Sequence, residues 1–118
     1  LNDMLGDYFT PGRRLAVCGM LDDKDAVGVA DALARRFDAW HLVDLSDQPR
    51  GQSAARLAEK IRPALAGVPI LIGSTVGETL AAIEADAAAD DLVVVFGSFL
   101  TVGSAMAWLD SAAQAARR

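Results

Sequence analysis

The sequence predicts an α/β domain in which a mainly parallel sheet carries helices on both faces. Four apolar runs of strand length alternate with segments whose apolar residues recur at helical spacing. Strands that alternate with helices indicate right-handed crossovers and a parallel sheet between two helical layers. Because 118 residues suffice for one domain with a hydrophobic core, we expect a single unit of order α-β-α-β-α-β-α-β-α.

The chain opens with a segment that has the pattern of the last turns of a helix. In "LNDMLGDYFTPG" (1–12), apolar residues recur on one side, and Pro11-Gly12 ends the pattern. No initiator methionine and no capping residue precede this segment. We therefore expect residues 1–118 to be a fragment of a longer chain.

Four mostly apolar runs are predicted to be the strands, and the first is continuously apolar, as is typical of a parallel strand buried on both faces. These runs are "LAVCGM" (15–20), "AWHLVDL" (39–45), "VPILIG" (68–73) and "LVVVFG" (92–97). Between and after them, the predicted helices cover residues 23–37, 52–66, 76–89 and 100–116. Pro63 should kink or shorten the second of these helices, because proline removes a backbone donor.

Composition argues against several classes of protein. A formal net charge of −5 disfavours non-specific binding to nucleic acids or anionic membranes. No apolar run is long enough to span a bilayer. The single cysteine, Cys18, lies in an apolar run, which indicates a buried thiol and fits a reducing compartment. We expect a cytoplasmic protein that binds neither nucleic acid nor membrane.

The functional residues are expected in four loops that follow the strands, because ligands of parallel sheets bind beyond the carboxyl ends of the strands. These loops are residues 20–25, 46–51, 73–76 and 97–101. None of them contains a P-loop, a G-x-G-x-x-G fingerprint or a G-x-S-x-G elbow. His41 is the only histidine, so a zinc site or a histidine-based triad has no support.

The first loop places a lysine among three acids. Asp22 is expected to cap the following helix, with Asp25 as an acid in its first turn. Lys24 would then lie in that first turn, where its charge opposes the helix dipole. Lys24 is therefore either solvated or paired within the loop, or it contacts an anion. The acids could also bind Mg²⁺, which prefers carboxylate ligands.

The other loops offer hydroxyl groups and one arginine. Ser98 and Thr101 are candidate caps of the last helix, whose free N–H groups could hold a carboxylate or phosphate; alternatively, these small residues only allow close packing. Arg50 is a forked donor suited to such anions, or an ordinary surface arginine. Thr75 is expected to cap the third helix in a capping box with Glu78, a structural role.

Three segments together resemble a known family. "AVCGMLDDKD", "FDAWHLVDLSDQPRG" and "VVVFGSFLTVG" are similar in order and spacing to the C-terminal domain of bacterial dihydrofolate synthase/folylpolyglutamate synthase, a relative of the Mur ligases. The similarity runs from about Pro11 to the end of the chain. It implies a Rossmann-like Mur-ligase C-terminal domain that lacks its first strand. It also implies that the ATP-binding motif, which follows this strand in the family, is lacking.

The resemblance implies part of an ATP-dependent amide ligase that adds L-glutamate to dihydropteroate or folates through an acyl phosphate. ATP and Mg²⁺ would be bound mainly by an N-terminal ATPase domain of the same enzyme, so the chain alone should be inactive and carry no catalytic or metal-binding residue. By similarity, Lys24 and Ser98 would contact the glutamate carboxylates, and Asp25 would orient Lys24. Arg50 is a further candidate contact.

Two other classes remain as alternatives. The first is a non-catalytic α/β binding module. The second is a signalling receiver domain, which also carries an acid pair after its first strand. A receiver needs a phosphoacceptor aspartate at the end of its third strand, where this chain has Gly73-Ser74. It also needs a lysine after its last strand, where this chain has Gly97-Ser98.

Overall fold

Four parallel strands form one sheet in the computed structural model, which describes residues 12–88 and 90–116. The strands are β1 (Arg14–Cys18), β2 (Ala39–Leu42), β3 (Ile70–Ile72) and β4 (Leu92–Phe96). Their order is β3-β2-β1-β4, and every neighbouring pair is parallel. The predicted parallel sheet is confirmed. The helix expected at the start of the chain lies outside the described residues.

Helices cover both faces of the sheet, as predicted. They are α1 (Ala26–Leu33), α2 (Ala54–Ile61), α3 (Val76–Asp86) and α4 (Phe99–Ala116). Apolar residues of α1 and α2 pack with Trp40 of β2 on one face. Residues of α3 and α4 pack with β1 on the other face. Two apolar layers therefore cover the central strands, whereas Leu71 and Ile72 of the edge strand β3 are exposed.

Several elements are shorter than predicted, for identifiable reasons. Pro63 lies in a 3₁₀ turn, Arg62–Leu65, that directly follows α2, so the expected shortening is confirmed. Strand β3 begins only after Pro69, which has no N–H to donate to a ladder.

Cys18 is the last residue of β1. Its thiol is fully buried, as expected, and burial raises its pKa to about 12.

The order in which successive strands are added to the sheet reverses between β1 and β4. From β1 the chain passes outward to β2 and then β3, and it returns to place β4 on the opposite side of β1. The helices that leave two neighbouring strands at such a point lie on opposite faces, which opens a crevice at the carboxyl ends of the strands. The fold therefore favours a site between the ends of β1 and β4. No helix in the described part of the chain could cross a membrane.

Candidate functional site

A cleft of about 700 Å³ lies at this switch point. Lys24, Arg50 and Ser98, which come from three of the four predicted loops, all line it. Its apolar wall is formed by residues of β4 and the start of α4: Val95, Phe96, Phe99, Leu100 and Val102. Asp25 does not line this cleft but a neighbouring groove against α1, which Lys24 also borders. The fourth loop, residues 73–76, contributes only to another groove.

The start of α1 differs from the prediction. Asp25 is the cap, because its carboxylate accepts the N–H of Gly28 at 3.0 Å. The assignment of Asp22 as the cap was wrong, and Lys24 precedes the helix instead of lying in its first turn. The reason is a turn before the helix, in which the Lys24 N–H donates to the Leu21 carbonyl at 3.2 Å.

Each of the two acids before Lys24 is paired with a cation from another element. Asp22 lies 2.7 Å from Lys60 Nζ and 3.3 Å from Arg56 Nη2. The hydrogen bond from Lys60 is the main cause that lowers the pKa of Asp22. Asp23 receives Arg50 Nη1 at 2.7 Å. These carboxylates therefore stabilise the loop against α2 and the Arg50 loop.

Lys24 differs from its neighbours. Its side chain is exposed and has no ion pair or side-chain hydrogen bond within residues 12–88 and 90–116. The internal salt bridge that one interpretation required is thus absent, because Asp22 pairs with Lys60 and Asp25 caps α1. The Lys24 ammonium is available to an anion at the cleft.

The hypothesis of a Mg²⁺ site at these acids is not supported. Asp22, Asp23 and Asp25 each bind a cation or a backbone N–H. Among the residues that the structure describes, no group of three or more histidine, cysteine or acidic side chains could hold a metal ion.

Arg50 lies in a tight loop that is joined to the Lys24 loop. Its φ of 60° places it in the left-handed region, which non-glycine residues rarely adopt. A side chain on Gly51 would overlap the carbonyl oxygen of Leu45, so only glycine fits there. The Arg50 carbonyl accepts the Asp22 N–H at 2.7 Å. The guanidinium is paired with Asp23, so binding of an anion by Arg50 requires an exchange of partners.

Ser98 caps α4, as predicted, by accepting the Thr101 N–H at 3.1 Å. Thr101 is not a cap. It is fully buried and donates its hydroxyl proton to the Gly19 carbonyl at 3.0 Å. Because that proton is committed, the 2.9 Å bond between the two hydroxyls must have Ser98 as donor. To bind a carboxylate, the Ser98 hydroxyl would have to donate its hydrogen bond to the carboxylate instead of to Thr101.

The predicted cap of α3 is confirmed, although the capping box is incomplete. The Thr75 hydroxyl accepts the Glu78 N–H at 3.1 Å. The Glu78 carboxylate, however, accepts a hydrogen bond from the Ser74 hydroxyl and not from the Thr75 N–H. This group therefore has the structural role that the sequence indicated.

One polar residue near the cleft was missed by sequence reasoning. Gln52 was placed in the helix predicted for residues 52–66, but α2 begins at Ala54 with Ser53 as its cap. Gln52 is instead buried, and its amide donates to the carbonyls of Met20 and Leu21. Its position directly after the Pro-Arg-Gly loop was the only available sign in the sequence.

The fold and the cleft define an α/β domain with cationic and hydroxyl groups at a topological switch point, an arrangement that suits an anionic ligand. A family model described as Mur ligase, glutamate ligase domain, matches residues 2–99. The chain belongs to this family. The resemblance found in the three sequence segments is thereby confirmed.

Individual relatives support the same assignment. Dihydrofolate synthase/folylpolyglutamate synthase of Haemophilus influenzae is 41% identical over 91 residues, which cover 77% of this chain and 21% of that protein. The Escherichia coli protein of the same name is 38% identical over 100 residues, covering 85% and 22%. The chain therefore spans about a fifth of the length of these relatives.

Solved structures show the same fold. Escherichia coli FolC in complex with ADP superposes with a TM-score of 0.79 and 34% identity, over 96% of this chain and 26% of that chain. The bifunctional folylpolyglutamate synthase/dihydrofolate synthase of Yersinia pestis, complexed with AMPPNP and Mn ion, gives a TM-score of 0.70 and 39% identity, over 84% and 22%. A further Escherichia coli FolC structure contains DHPP and ADP. These relatives thus bind a nucleotide, and one of them also holds DHPP.

Proposed function

We propose that residues 1–118 are the amino-acid-binding C-terminal domain of a longer ATP-dependent ligase, which adds L-glutamate to dihydropteroate or folates. The observation that carries the proposal is the convergence of Lys24, Arg50 and Ser98 from three loops on one cleft. Lys24 and Arg50 line this cleft together with a single carboxylate, that of Asp23, so the cleft has an excess of one positive charge in a chain of net charge −5, which favours an anionic ligand. Glutamate, which carries one net negative charge, matches this excess. The family match to a glutamate ligase domain supports the same ligand.

In such a reaction, ATP converts the carboxylate of the pterin or folate substrate into an acyl phosphate. The neutral glutamate amine attacks the acyl carbon, the C–N bond forms as the C–O bond to the phosphate breaks, and the nitrogen gives up a proton to water as inorganic phosphate leaves. This domain has to hold the glutamate so that its amine faces the acyl carbon. Such positioning lowers the barrier because it removes rotational and translational freedom before the reaction.

Lys24 is the primary contact for a glutamate carboxylate, since its ammonium is exposed and unpaired in the described part of the chain. Arg50 binds the second carboxylate by exchanging Asp23 for the ligand, an exchange that two exposed partners allow. Ser98 donates to a carboxylate when its proton leaves Thr101. Asp25 orients Lys24 through the backbone, because its carboxylate accepts the Gly28 N–H and so fixes the backbone directly after Lys24.

ATP and Mg²⁺ are bound mainly by an N-terminal ATPase domain of the same enzyme, which is this domain's principal partner. The sequence contains no phosphate-binding loop, and Asp23, the acid that lines the cleft, is paired with Arg50. Mg²⁺ would neutralise developing charge on the phosphates. Folate or dihydropteroate is the second substrate. A reducing cytoplasm suits the buried Cys18 thiol.

The test uses steady-state kinetics of the full-length ligase. Lys24→Ala should raise KM for glutamate about 10–100-fold, the range expected when a charge-assisted hydrogen bond is lost. KM for ATP should stay within about twofold, because the ATP site lies in the other domain. Arg62→Ala is the control: it removes an exposed cation of the 3₁₀ turn after α2, which does not line the cleft. It should leave KM for glutamate within about twofold.

The 118-residue chain alone, incubated with ATP, Mg²⁺, dihydropteroate and glutamate, should release no more phosphate than a blank. Two results would contradict the proposal. One is turnover by the isolated chain after contaminating ligase has been removed. The other is a full-length Lys24→Ala variant whose KM for glutamate equals that of the unmodified enzyme.

A further inference from the structure

Three consecutive carbonyl groups at the start of the Lys24 loop accept hydrogen bonds from buried side chains. Thr101 Oγ1 donates to the carbonyl of Gly19 at 3.0 Å. Gln52 Nε2 donates to the carbonyls of Met20 and Leu21, at 3.2 Å and 3.3 Å. Thr101 is 0% exposed and Gln52 is 4% exposed. Buried polar side chains of this kind have few alternative partners, so their bonds fix the backbone that they contact.

These bonds hold the backbone where the hydrogen bonds of the sheet end. The last ladder contact of β1 is a long one, from the Gly19 N–H to the Phe96 carbonyl at 3.4 Å. Beyond it, residues 20 and 21 have left strand β1. The Met20 carbonyl would be unsatisfied without Gln52, and such unsatisfied buried groups are avoided in folded proteins. The Leu21 carbonyl accepts the Lys24 N–H as well as the Gln52 amide. The path from the end of β1 to Lys24 is therefore held by these side chains together with backbone bonds to the Arg50 loop.

The two side chains come from different elements beside the cleft: Thr101 from the first turn of α4, and Gln52 from the segment between the Arg50 loop and α2. Thr101 also accepts the proton of Ser98, so it connects Ser98 to the end of β1. Gln52 follows the Arg50 loop, and next to it Gly51 forms an antiparallel bridge with Leu21. Thr101 thus ties the Lys24 loop to the Ser98 loop, and Gln52 ties it to the Arg50 loop.

We propose that Thr101 and Gln52 are positioning residues of the cleft, which hold the backbone before Lys24 at a fixed place relative to Ser98 and Arg50. The proposal rests on the proposed function in one respect, the identity of glutamate as the ligand. Neither residue contacts the ligand. Both act by keeping the ammonium, the hydroxyl and the guanidinium converged before glutamate arrives, so their loss weakens glutamate binding and spares ATP binding.

The first measurement is amide hydrogen exchange of the 118-residue chain, which does not depend on the ligand. Thr101→Val and Gln52→Leu keep the side-chain volume and remove the hydrogen bonds. Each should speed exchange in residues 20–25 about tenfold, while exchange in α3, residues 76–86, stays unchanged. Thr101→Ser retains the hydroxyl and should restore slow exchange. The matched control is Thr79→Val, because Thr79 is also buried and its hydroxyl donates to the carbonyl of Thr75, the cap of α3.

The second measurement is the kinetics of the full-length ligase. Thr101→Val and Gln52→Leu should raise KM for glutamate about tenfold, since small displacements of binding groups have effects of this size or larger. Both kcat and the KM for ATP should change by less than about twofold. Thr101→Ser should restore KM for glutamate, and Thr79→Val should leave it unaltered even where it lowers thermal stability.

The outcomes separate the two proposals. If amide exchange in residues 20–25 is unchanged in both Thr101→Val and Gln52→Leu, the positioning role is overturned. It is also overturned if KM for glutamate is unchanged in these variants when Lys24→Ala raises it. If exchange speeds up but neither Lys24→Ala nor Thr101→Val alters KM for glutamate, the glutamate site itself is wrong. If Thr79→Val raises KM as much as Thr101→Val does, the effect is one of general stability and the positioning role is again overturned.

Discussion

Charged residues are arranged differently at the two ends of the sheet. At the amino end, the carboxylate of Asp91 is only 3% exposed and accepts three hydrogen bonds from Arg13 and one from the Ala88 N–H. At the carboxyl end, the Arg50 and Asp23 side chains are 69% and 51% exposed and share one close contact. Lys24 has no ion pair there within the described residues.

This difference indicates two uses of charge in one domain. A carboxylate enclosed by several donors stabilises the fold, and a ligand cannot displace it without breaking all of these bonds. An exposed single pair contributes little to stability because water and salt screen it. It can therefore exchange its partner for a ligand. The amino end joins β1 to the segment before β4, whereas the carboxyl end keeps cations available.

The largest test of this contrast uses two glycines, one at each end, that both have a positive φ. Gly97 follows β4 at the cleft, with φ 115°, and a side chain there would overlap the carbonyl oxygen of Gly19. Gly67 precedes β3 at the amino end, with φ 84°, and a side chain there would meet no atom within 4 Å. Gly97→Ala should lower the free energy of unfolding by about 3 kcal/mol, and Gly67→Ala by about 1 kcal/mol.

Urea unfolding of both variants measures this difference. The larger loss at Gly97 would show that the ends of β1 and β4 are in close contact, as the cleft requires. Equal losses would mean that backbone strain alone acts at both glycines. The junction between Gly19 and Gly97 would then be looser than the structure shows.

A smaller effect is expected from Asp91→Asn at the amino end. Hydrogen bonding from the Arg13 side chain holds the pKa of Asp91 below its ordinary value of 3.8. A carboxylate with a lowered pKa in the folded state stabilises the protein fully above pH 3.8, and this contribution is lost as the pH falls through the lower, folded-state pKa. The variant should therefore be less stable at pH 7 and approach the unmodified chain in stability below pH 3.8.

The control for this experiment is Asp86→Asn. Asp86 lies 3.6 Å from the same Arg13 guanidinium, but its side chain is 83% exposed. We expect this variant to change stability less than Asp91→Asn does at pH 7. A difference between Asp91→Asn and the unmodified chain that persists without change to pH 3 would show that charge is not the origin of the effect.

The sequence predicted the elements better than their ends. Periodicity identifies a strand or a helix because it reflects which face is buried, and both cores confirm it. The ends of elements depend on contacts between distant residues. Asp22 and Asp25 satisfy the same capping rule, but the chain makes a turn from Leu21 to Lys24, next to the pairing of Leu21 with Gly51, and Asp25 is the cap. No local pattern contains that pairing.

The site shows the same limit. Lys24, Arg50 and Ser98 were expected near one another because the carboxyl ends of parallel strands share one edge, and they do line one cleft. Their individual partners could not be predicted. The pair of Asp22 with Lys60 joins residues 38 positions apart. The bond of Thr101 to Gly19 spans 82 positions.

The smallest expected effect concerns Lys24, and it separates the two uses of charge most directly. Lys24 lies directly before the cap of α1 and has no ion pair in the part of the chain that the structure describes. Its charge only opposes the helix dipole, so Lys24→Ala should leave the stability of the 118-residue chain unchanged or raise it by a few tenths of a kcal/mol. Lys60→Ala removes the partner of Asp22 and should lower stability. Urea unfolding at low and high salt compares the two variants, and salt should reduce both differences. If Lys24→Ala destabilises the chain as much as Lys60→Ala, Lys24 has a structural partner, and the carboxyl end of the sheet resembles the amino end in its use of charge.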